Sequence, residues 1–271
     1  MKDAIKISGL KKSYGRKLVL GGLDFQIKQG EIFALLGVNG AGKTTTLECI
    51  EGLRKYDEGT IVLNGKTGIQ LQSSSLPAHI KPMEAIKLFA KWNHTNIDTA
   101  MLKALGIKEM EQSQYLQLST GQKRRLHLAL ALISNPDILF LDEPTAGLDV
   151  EGRLSLHEQI RKLKSQEKTI VLASHDMAEV ETLCDRIAIL NSGKIVFCGT
   201  PSELTEKLGR KYFIHLKTQE GEDTYETDTI EDSLISLLEE CKQKNIQILD
   251  IKVDRGTLEQ HFIEMARRGS E

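Results

Sequence analysis

The chain has 271 residues and a formal net charge of −2, with 40% hydrophobic and 27% charged residues. This length suits one large domain with a small appendage, and the charge balance gives no basic field that would favour nucleic acid. The apolar runs are far shorter than the roughly 20 residues of a membrane span, and the N-terminus lacks the apolar core of a secretory signal. We therefore expect that any membrane role comes through a partner.

The four cysteines are too scattered to suggest a shared site. They are widely spaced and form no C-x-x-C pair, which does not favour a metal or redox centre. Reduced thiols in a cytosolic protein are the expected state. These residues are Cys49, Cys184, Cys198 and Cys241.

The first 30 residues alternate between apolar and polar side chains in short bursts separated by glycines. This pattern predicts antiparallel strands joined by turns. Tyr14 lies between two of the bursts. An exposed ring there could stack on a flat base, but a tyrosine packed on a strand edge explains the residues equally well.

The clearest motif in the chain runs from Gly37 to Thr44 and fits G-x-x-x-x-G-K-[ST]. A buried strand is predicted before it, over Ile32–Leu36, and a helix after it, over Thr45–Glu51. Backbone N–H groups of such a loop, together with the positive end of the helix, bind polyphosphate. Lys43 would add a cation, and the Thr44 hydroxyl would be a ligand for Mg²⁺.

The residues after this helix predict two further strands. Gly59–Gly65 reads as a hairpin arm that ends in an Asn-Gly turn. Ile69–Gln72 predicts the next strand, which stops at a run of serines. Gln72 is therefore expected where a strand gives way to a loop, although a glutamine in such a place is more often simply solvated.

Between residues 83 and 133 the apolar period shifts towards 3.6, which predicts a helical insert with helices near 85–92, 100–105 and 124–134. The pentapeptide Leu118–Gln122 precedes the last of these helices. Ser119 would cap that helix, and the N–H groups behind it would form a second anion site. An ordinary capped helix would explain the pentapeptide if it stood alone. Two anion sites in one chain suggest that two chains share one nucleotide.

Ile138–Leu141 is a fully apolar run that predicts a strand buried on both faces, and Asp142 and Glu143 follow it. Ligands bind at the carboxyl ends of strands in open parallel sheets. Asp142 can therefore hold Mg²⁺ through water, and Glu143 can polarise a water for attack on a γ-phosphate. The alternative is a strand that simply enters solvent.

A further buried strand is predicted over Thr169–Ser174, after a loop that ends at Asp149 and a polar helix over residues 151–165. His175 follows the strand and would reach the same sheet edge as Glu143, where its imidazole could donate to a phosphate oxygen. A lone histidine after a strand is otherwise usually structural. Arg186–Leu190 and a second strand over 194–197 predict a closing hairpin.

The last 60 or so residues have the pattern of a small α/β unit. Strands are expected over 212–217, 223–227 and 246–253, and helices over 230–244 and 258–268. The predicted fold class is α/β, with a phosphate-loop ATPase core, an antiparallel β subdomain and a helical insert, followed by this appendage. We expect domains over 1–205, with a helical subdomain about 76–135, and over 206–271.

Taken in order, these motifs resemble the ATP-binding subunit of ABC (ATP-binding cassette) transporters over about residues 3–200. The pentapeptide makes the resemblance specific, because other phosphate-loop ATPases lack it. The resemblance implies that Tyr14 stacks on adenine and that Gln72 reaches Mg²⁺ and the attacking water. It also implies that Ser119 and Gly121 contact ATP held by the opposite protomer. Asp149 is similar to the aspartate that links the two sites.

The resemblance also assigns a switch role to the histidine and a catalytic role to the glutamate at the sheet edge. The candidate catalytic residues are thus Lys43, Gln72, Glu143 and His175. The candidate ATP-binding residues are Tyr14, Gly37, Asn39, Gly40, Ala41, Gly42, Lys43, Thr44, Thr45, Ser119, Gly121 and Gln122. The candidate Mg²⁺ ligands are Thr44, Gln72 and Asp142.

One position departs from the family pattern. The usual pentapeptide is Leu-Ser-Gly-Gly-Gln, and Thr120 stands at its third place. Threonine is β-branched and resists a positive φ. We expect an active site with altered closure or rate, because Ser119 and Gly121 are intact.

A looser resemblance, through Thr257–Glu264, links the end of the chain to ATPase subunits of ABC-2-type bacterial exporters. It implies ATP-driven export by a separate integral membrane permease, with a second ATPase subunit, identical or different, and no nucleic acid. The chain would be cytoplasmic, at the inner face of the cell membrane.

The alternative is a soluble ABC-type ATPase that acts on ribosomes or DNA. The single phosphate loop, the short spacing from Gln72 to Leu118 and the scattered cysteines count against it. A regulatory module without turnover would need Glu143 or His175 replaced, and both are present.

Overall fold

The computed structural model describes residues 2–70, 75–174, 176–208 and 212–255. None of the helices in these ranges has the length and apolar content needed to cross a membrane. The strands are β1 (Asp3–Tyr14), β2 (Lys17–Lys28), β3 (Ile32–Leu36), β4 (Glu58–Leu63), β5 (Thr67–Gln70), β6 (Ile138–Asp142), β7 (Thr169–Ala173), β8 (Arg186–Asn191), β9 (Lys194–Gly199), β10 (Tyr212–Thr218), β11 (Glu222–Thr227) and β12 (Ile248–Arg255). The α-helices are α1 (Lys43–Ile50), α2 (Pro82–Trp92), α3 (Thr99–Ala104), α4 (Thr120–Leu132), α5 (Val150–Ser165), α6 (Met177–Leu183), α7 (Pro201–Leu208) and α8 (Ile230–Gln243).

The N-terminal part forms the predicted antiparallel sheet, in the order β2-β1-β4. The prediction of a hairpin at the Asn-Gly turn is wrong, because β4 pairs with β1, with Leu63 opposite Ile5, while β5 joins another sheet. The Asn64 side chain donates to the Asp3 carbonyl oxygen at 2.9 Å. Pairing with β1 therefore overrides the local hairpin preference, and the turn carries the chain from one sheet to the other.

The central sheet, as far as the described residues define it, has the order β5-β6-β7-β3-β8-β9. All its neighbours are parallel except β8 and β9, which form the predicted hairpin. Every residue of β3, β6 and β7 is buried, as their continuous apolar sequences predict. The parallel strands therefore bring the loops after β3, β6 and β7 to one edge.

The two faces of this sheet are covered by different elements. Phe33 on β3 packs with α1 and the antiparallel sheet, and its ring stacks on Phe25 with centroids 5.7 Å apart. The neighbouring Ala34 belongs to a second core with apolar residues of α2, α4, α5 and α6. Helix and antiparallel-sheet layers thus hold the central sheet on both sides.

The helical insert contains α2, α3 and α4, as predicted, together with short 3₁₀ helices over Lys108–Met110 and Tyr115–Gln117 that were not predicted. Helix α4 begins four residues before the predicted start, immediately after Ser119. It lies close to β5, where a Cβ on Gly68 would be 2.3 Å from the Ala131 carbonyl oxygen. Only glycine allows this approach between strand and helix.

The C-terminal unit has a sheet in the order β11-β10-β12, with α8 against β10. Its strands and helix match the predicted segments to within two residues. The helix predicted over 258–268 and the segment Thr257–Glu264 lie outside the described residues. Helices α6 and α7 were not predicted.

Candidate functional site

The phosphate loop connects β3 to α1 at the carboxyl edge of the central sheet. Gly40 and Gly42 have φ of 82° and 109°, which favour glycine. Gly37 is required for space instead, since a Cβ there would lie 2.6 Å from the Leu190 carbonyl oxygen. Helix α1 begins at Lys43, two residues before its predicted start. Its first N–H groups therefore belong to the loop motif itself, and helix geometry leaves them without intrahelical acceptors.

The Lys43 side chain lies in this loop and closes it. Its Nζ donates to the carbonyl oxygens of Gly37 at 2.6 Å and Val38 at 3.4 Å. Burial lowers the pKa of Lys43, while the nearby Glu143 and Asp142 carboxylates act in the opposite direction. The fold thus brings the lysine of the first motif into electrostatic range of both carboxylates after the apolar strand.

Asp142 is the last residue of β6 and is only 8% exposed. Burial and the neighbouring Glu143 raise its pKa, while Lys43 opposes this shift. A carboxylate in such surroundings is stabilised by a cation. Mg²⁺ is usually held by one or two carboxylates, with substrate phosphates and water completing its shell. The described residues contain no group of three or more Asp, Glu, His or Cys residues that could hold a metal ion. The single buried carboxylate of Asp142 suits the mode of binding in which phosphates and water supply the other ligands.

Glu143 has a φ of 48°, in the left-handed region that non-glycine residues seldom adopt. Such conformations concentrate at functional sites. Its backbone N–H donates to the Ala173 carbonyl oxygen at 2.9 Å, which ties the end of β6 to the end of β7. His175, two residues after Ala173, lies outside the described residues, as does Gln72.

Ser119 is the N-cap of α4, as predicted. Its Oγ accepts from the Gln122 N–H at 3.2 Å, and its own N–H donates to Gln122 Oε1 at 2.8 Å, which completes a capping box. Thr120 is the first helical residue, and helical residues have negative φ. The expected conflict between threonine and a positive φ therefore does not arise.

A cleft of about 600 Å³ brings the pentapeptide together with the loop before α5. Ser119, Gly121 and Asp149 are among the residues that line it. Asp149 also caps α5, because its side chain accepts from the Gly152 N–H at 2.8 Å. A Cβ on Gly121 would meet nothing closer than Leu148 at 3.7 Å. No phosphate-loop residue is among the described residues that line this cleft, so the cleft at the pentapeptide is separate from the phosphate loop.

Tyr14 ends β1 and is 42% exposed. Arg54 Cζ lies 5.3 Å from the centre of its ring and Lys12 Nζ lies 5.7 Å from it. Arg54 is held by Glu48 at 2.5 Å. The ring is thus accessible and lies beside cations, rather than buried on the strand edge.

Sequence reasoning missed a set of buried polar residues behind the sheet edge. Glu179 is 3% exposed and accepts hydrogen bonds from Ser174 and Thr145. These residues come from three separate segments and form no linear motif. Only the tertiary structure brings them together.

A glycine loop between a buried strand and a helix, facing two carboxylates at the end of a nearby parallel strand, defines a phosphate-loop ATPase. Comparisons with known proteins support this class. A family model described as ABC transporter matches residues 20–146. The linearmycin resistance ATP-binding protein LnrL of Bacillus subtilis (strain 168) is 30% identical, across 97% of this chain and 98% of that protein.

Two further matches are informative. The Nod factor export ATP-binding protein I of Burkholderia orbicola (strain AU 1054) is 37% identical, across 74% of this chain and 72% of that protein. A solved structure of an ATP-binding subunit of an ABC transporter superposes with a TM-score of 0.69 at 25% identity, covering 76% of this chain and 93% of that one. The chain belongs to the ABC transporter family as an ATP-binding subunit, and its enzymatic activity is ATP hydrolysis.

Proposed function

We propose that this subunit powers export through a separate membrane permease. The support comes from relatives whose names refer to linearmycin resistance and to Nod factor export. In this proposal the subunit binds the permease at the inner face of the membrane. The helical insert and the loop containing Gln72 would pass movement to that partner. Residues 1–205 would form the ATPase domain, with its helical subdomain about 76–135, and residues 206–271 a C-terminal domain.

The working unit is a head-to-tail pair of subunits with two ATP molecules between them. Lys43 and Thr44 of one subunit hold each ATP, and Ser119 and Gly121 of the other complete its site. The observation that supports this proposal is that Ser119, Gly121 and Asp149 line a cleft to which no described phosphate-loop residue contributes. A second subunit would bring an α4 N-terminus to the phosphate loop, where helix polarity attracts the triphosphate.

Hydrolysis in this arrangement depends on charges at the sheet edge. Glu143 orients water for in-line attack, while Lys43 and His175 stabilise the charge that develops on the phosphate oxygens. Tyr14 stacks on the adenine. Mg²⁺, held by Thr44, Asp142 and Gln72, would neutralise phosphate charge. Loss of the γ-phosphate removes the group that α4 attracts, and the pair opens.

The assignment of Glu143 is tested with Glu143→Gln, which keeps the shape of the side chain and removes its basicity. Steady-state ATP hydrolysis should fall by about 100-fold or more, while binding of a fluorescent ATP analogue persists. Glu158→Gln, on the exposed side of α5, is the matched control and should hydrolyse like the wild type. Wild-type hydrolysis by Glu143→Gln would show that another residue acts as the base.

A further inference from the structure

A single buried carboxylate connects the two loops that carry the proposed catalytic groups. Glu179, on α6, accepts from Ser174 Oγ at 2.7 Å and from Thr145 Oγ1 at 3.1 Å, in both cases through Oε2. Thr145 stands two residues after Glu143, and Ser174 stands immediately before His175. The same oxygen atom therefore holds both loops.

The loop around Ser174 is fixed further by its own backbone. The Asp176 N–H donates to Ser174 Oγ at 3.1 Å, and the Asp176 side chain caps α6 by accepting from the Glu179 N–H at 3.1 Å. Ser174 and Asp176, which precede and follow His175 in the sequence, therefore both form hydrogen bonds with Glu179.

The same network reaches α5, the helix that Asp149 caps. Arg153 donates to Asp176 Oδ2 at 3.1 Å, and His157 Nε2 lies 3.4 Å from Glu179 Oε1. Arg153 and His157 are four residues apart and share one face of α5, so both contacts form along a single seam between α5 and α6. Within the described part of the chain, neither His157 Nε2 nor Glu179 Oε1 makes a hydrogen bond. His157 and Glu179 are therefore close to each other without a hydrogen bond between them.

The Glu179 carboxylate contributes little net stability to the fold, because its burial carries a large desolvation penalty. The two hydroxyl donors compensate only part of the desolvation of a carboxylate that is 3% exposed. Apolar residues of similar volume often stabilise a fold as well as buried charged groups do, or better. A polar network of this kind fixes a particular geometry instead. The geometry fixed here is the relative position of Thr145, Ser174 and α5.

We infer that Glu179 is a positioning residue of the ATPase site, which fixes the loop after β6 relative to the loop after β7 and couples both to the helix that begins after Asp149. The inference rests on the proposed roles of Glu143, His175 and Asp149. When a partner subunit contacts Asp149, the shift of α5 would reach both catalytic loops through the seam formed by Arg153, His157, Asp176 and Glu179. Misplacement of a catalytic group by about 1 Å can lower a rate by about 100-fold.

The test compares Glu179→Gln with Glu181→Gln, an exposed glutamate on the same helix. In full-length protein, Glu179→Gln should lower kcat for ATP by about 10- to 100-fold while the Kd for MgATP stays near the wild-type value. Glu181→Gln should leave kcat unchanged. A purely structural role for Glu179 would lower the melting temperature and leave kcat per folded molecule at the wild-type value, which would overturn the inference.

A second pair of variants covers the case in which Glu179→Gln does not fold. Thr145→Val removes the hydroxyl with little change of shape, and Thr145→Ser retains it. Thr145→Ser should keep most of the wild-type kcat, and Thr145→Val should lose about tenfold or more. Equal kcat values for the two would overturn the inference.

Glu143→Gln, measured alongside, separates this inference from the proposed function. If Glu143→Gln abolishes hydrolysis and Glu179→Gln does not impair it, the positioning role is wrong and the assignment of Glu143 stands. If Glu143→Gln hydrolyses normally, the assignment of Glu143 fails, and with it the positioning role that depends on it.

Discussion

The backbone N–H of Glu143 donates to the carbonyl oxygen of Ala173 at 2.9 Å, across the ends of two neighbouring parallel strands. This bond accompanies a left-handed φ at Glu143. This hydrogen bond therefore ties the backbone of the proposed base to the end of the neighbouring strand.

Substitution of Gly121 should affect ATP hydrolysis without loss of stability. Its position in the first turn of α4 is helical, and an added Cβ would meet only Leu148 at 3.7 Å. Gly121→Ala should leave the free energy of unfolding unchanged or raise it by up to about 1 kcal/mol, because alanine is the better helix former. ATP hydrolysis should fall, since the Cβ would face the nucleotide of the opposite subunit. Urea unfolding and a hydrolysis assay check this, and full activity would argue against that contact.

Substitution of Gly37, in contrast, should lower the stability of the protein. A Cβ there would lie 2.6 Å from the Leu190 carbonyl oxygen and 3.0 Å from the Ala41 Cβ, and the first of these is a backbone atom that cannot easily move. Gly37→Ala should destabilise the protein by about 1–3 kcal/mol through overpacking. Thermal unfolding beside Gly121→Ala measures the difference. Equal stability of the two variants would mean that the loop can shift to accept the side chain.

Glu51 gives stability a pH dependence. Burial, with smaller contributions from Asp142 and Glu48, raises the pKa of Glu51 to about 7. Its folded pKa is thus above its unfolded value, so the folded state binds more protons and stability falls as pH rises from about 4.5 to 7. Glu51→Gln should stabilise the nucleotide-free protein by about 1–3 kcal/mol at pH 8 and by much less at pH 5. Urea unfolding at both pH values checks this, and an equal effect at the two would contradict it.

Two variants of Tyr14 can show whether its ring stacks on adenine or its hydroxyl forms a hydrogen bond with ATP. If the exposed ring stacks on adenine, Tyr14→Phe should keep the wild-type Kd for ATP, while Tyr14→Ala should weaken binding by about 1–3 kcal/mol. Titration with a fluorescent ATP analogue measures both. An equal loss in the two variants would point to the hydroxyl, and no loss in either would leave the ring outside the site.

The parts of the fold that the sequence predicts best are those in which local pattern and tertiary environment agree. Strands β3, β6 and β7 have continuous apolar sequences, and each matches its prediction to within one residue. The hairpin at Asn64 failed because pairing of β4 with β1 outweighs the preference of the turn. Helix α6 was missed because its seven residues are too few for a periodic signal.

The candidate site divides in the same way. Three parts of the site are linear motifs, and each of them predicts its local backbone structure. They are the phosphate loop, the capped pentapeptide and the paired carboxylates. No linear motif predicts the role of Glu179, because that role depends on hydrogen bonds from Ser174 and Thr145, which lie in two other loops. Likewise, the raised pKa of Glu51 depends on burial and on charges that only the folded chain brings close.

The most direct test of the shared-nucleotide account is the mass of the Glu143→Gln protein in solution, measured by light scattering with and without saturating MgATP. The account predicts a monomer of 30.3 kDa without nucleotide and a species of twice that mass with MgATP. Ser119→Arg, which would place a bulky side chain at the proposed contact between subunits, should prevent the doubling. A mass that stays monomeric at saturating MgATP, both alone and with the permease present, would contradict the claim that two subunits enclose the nucleotide.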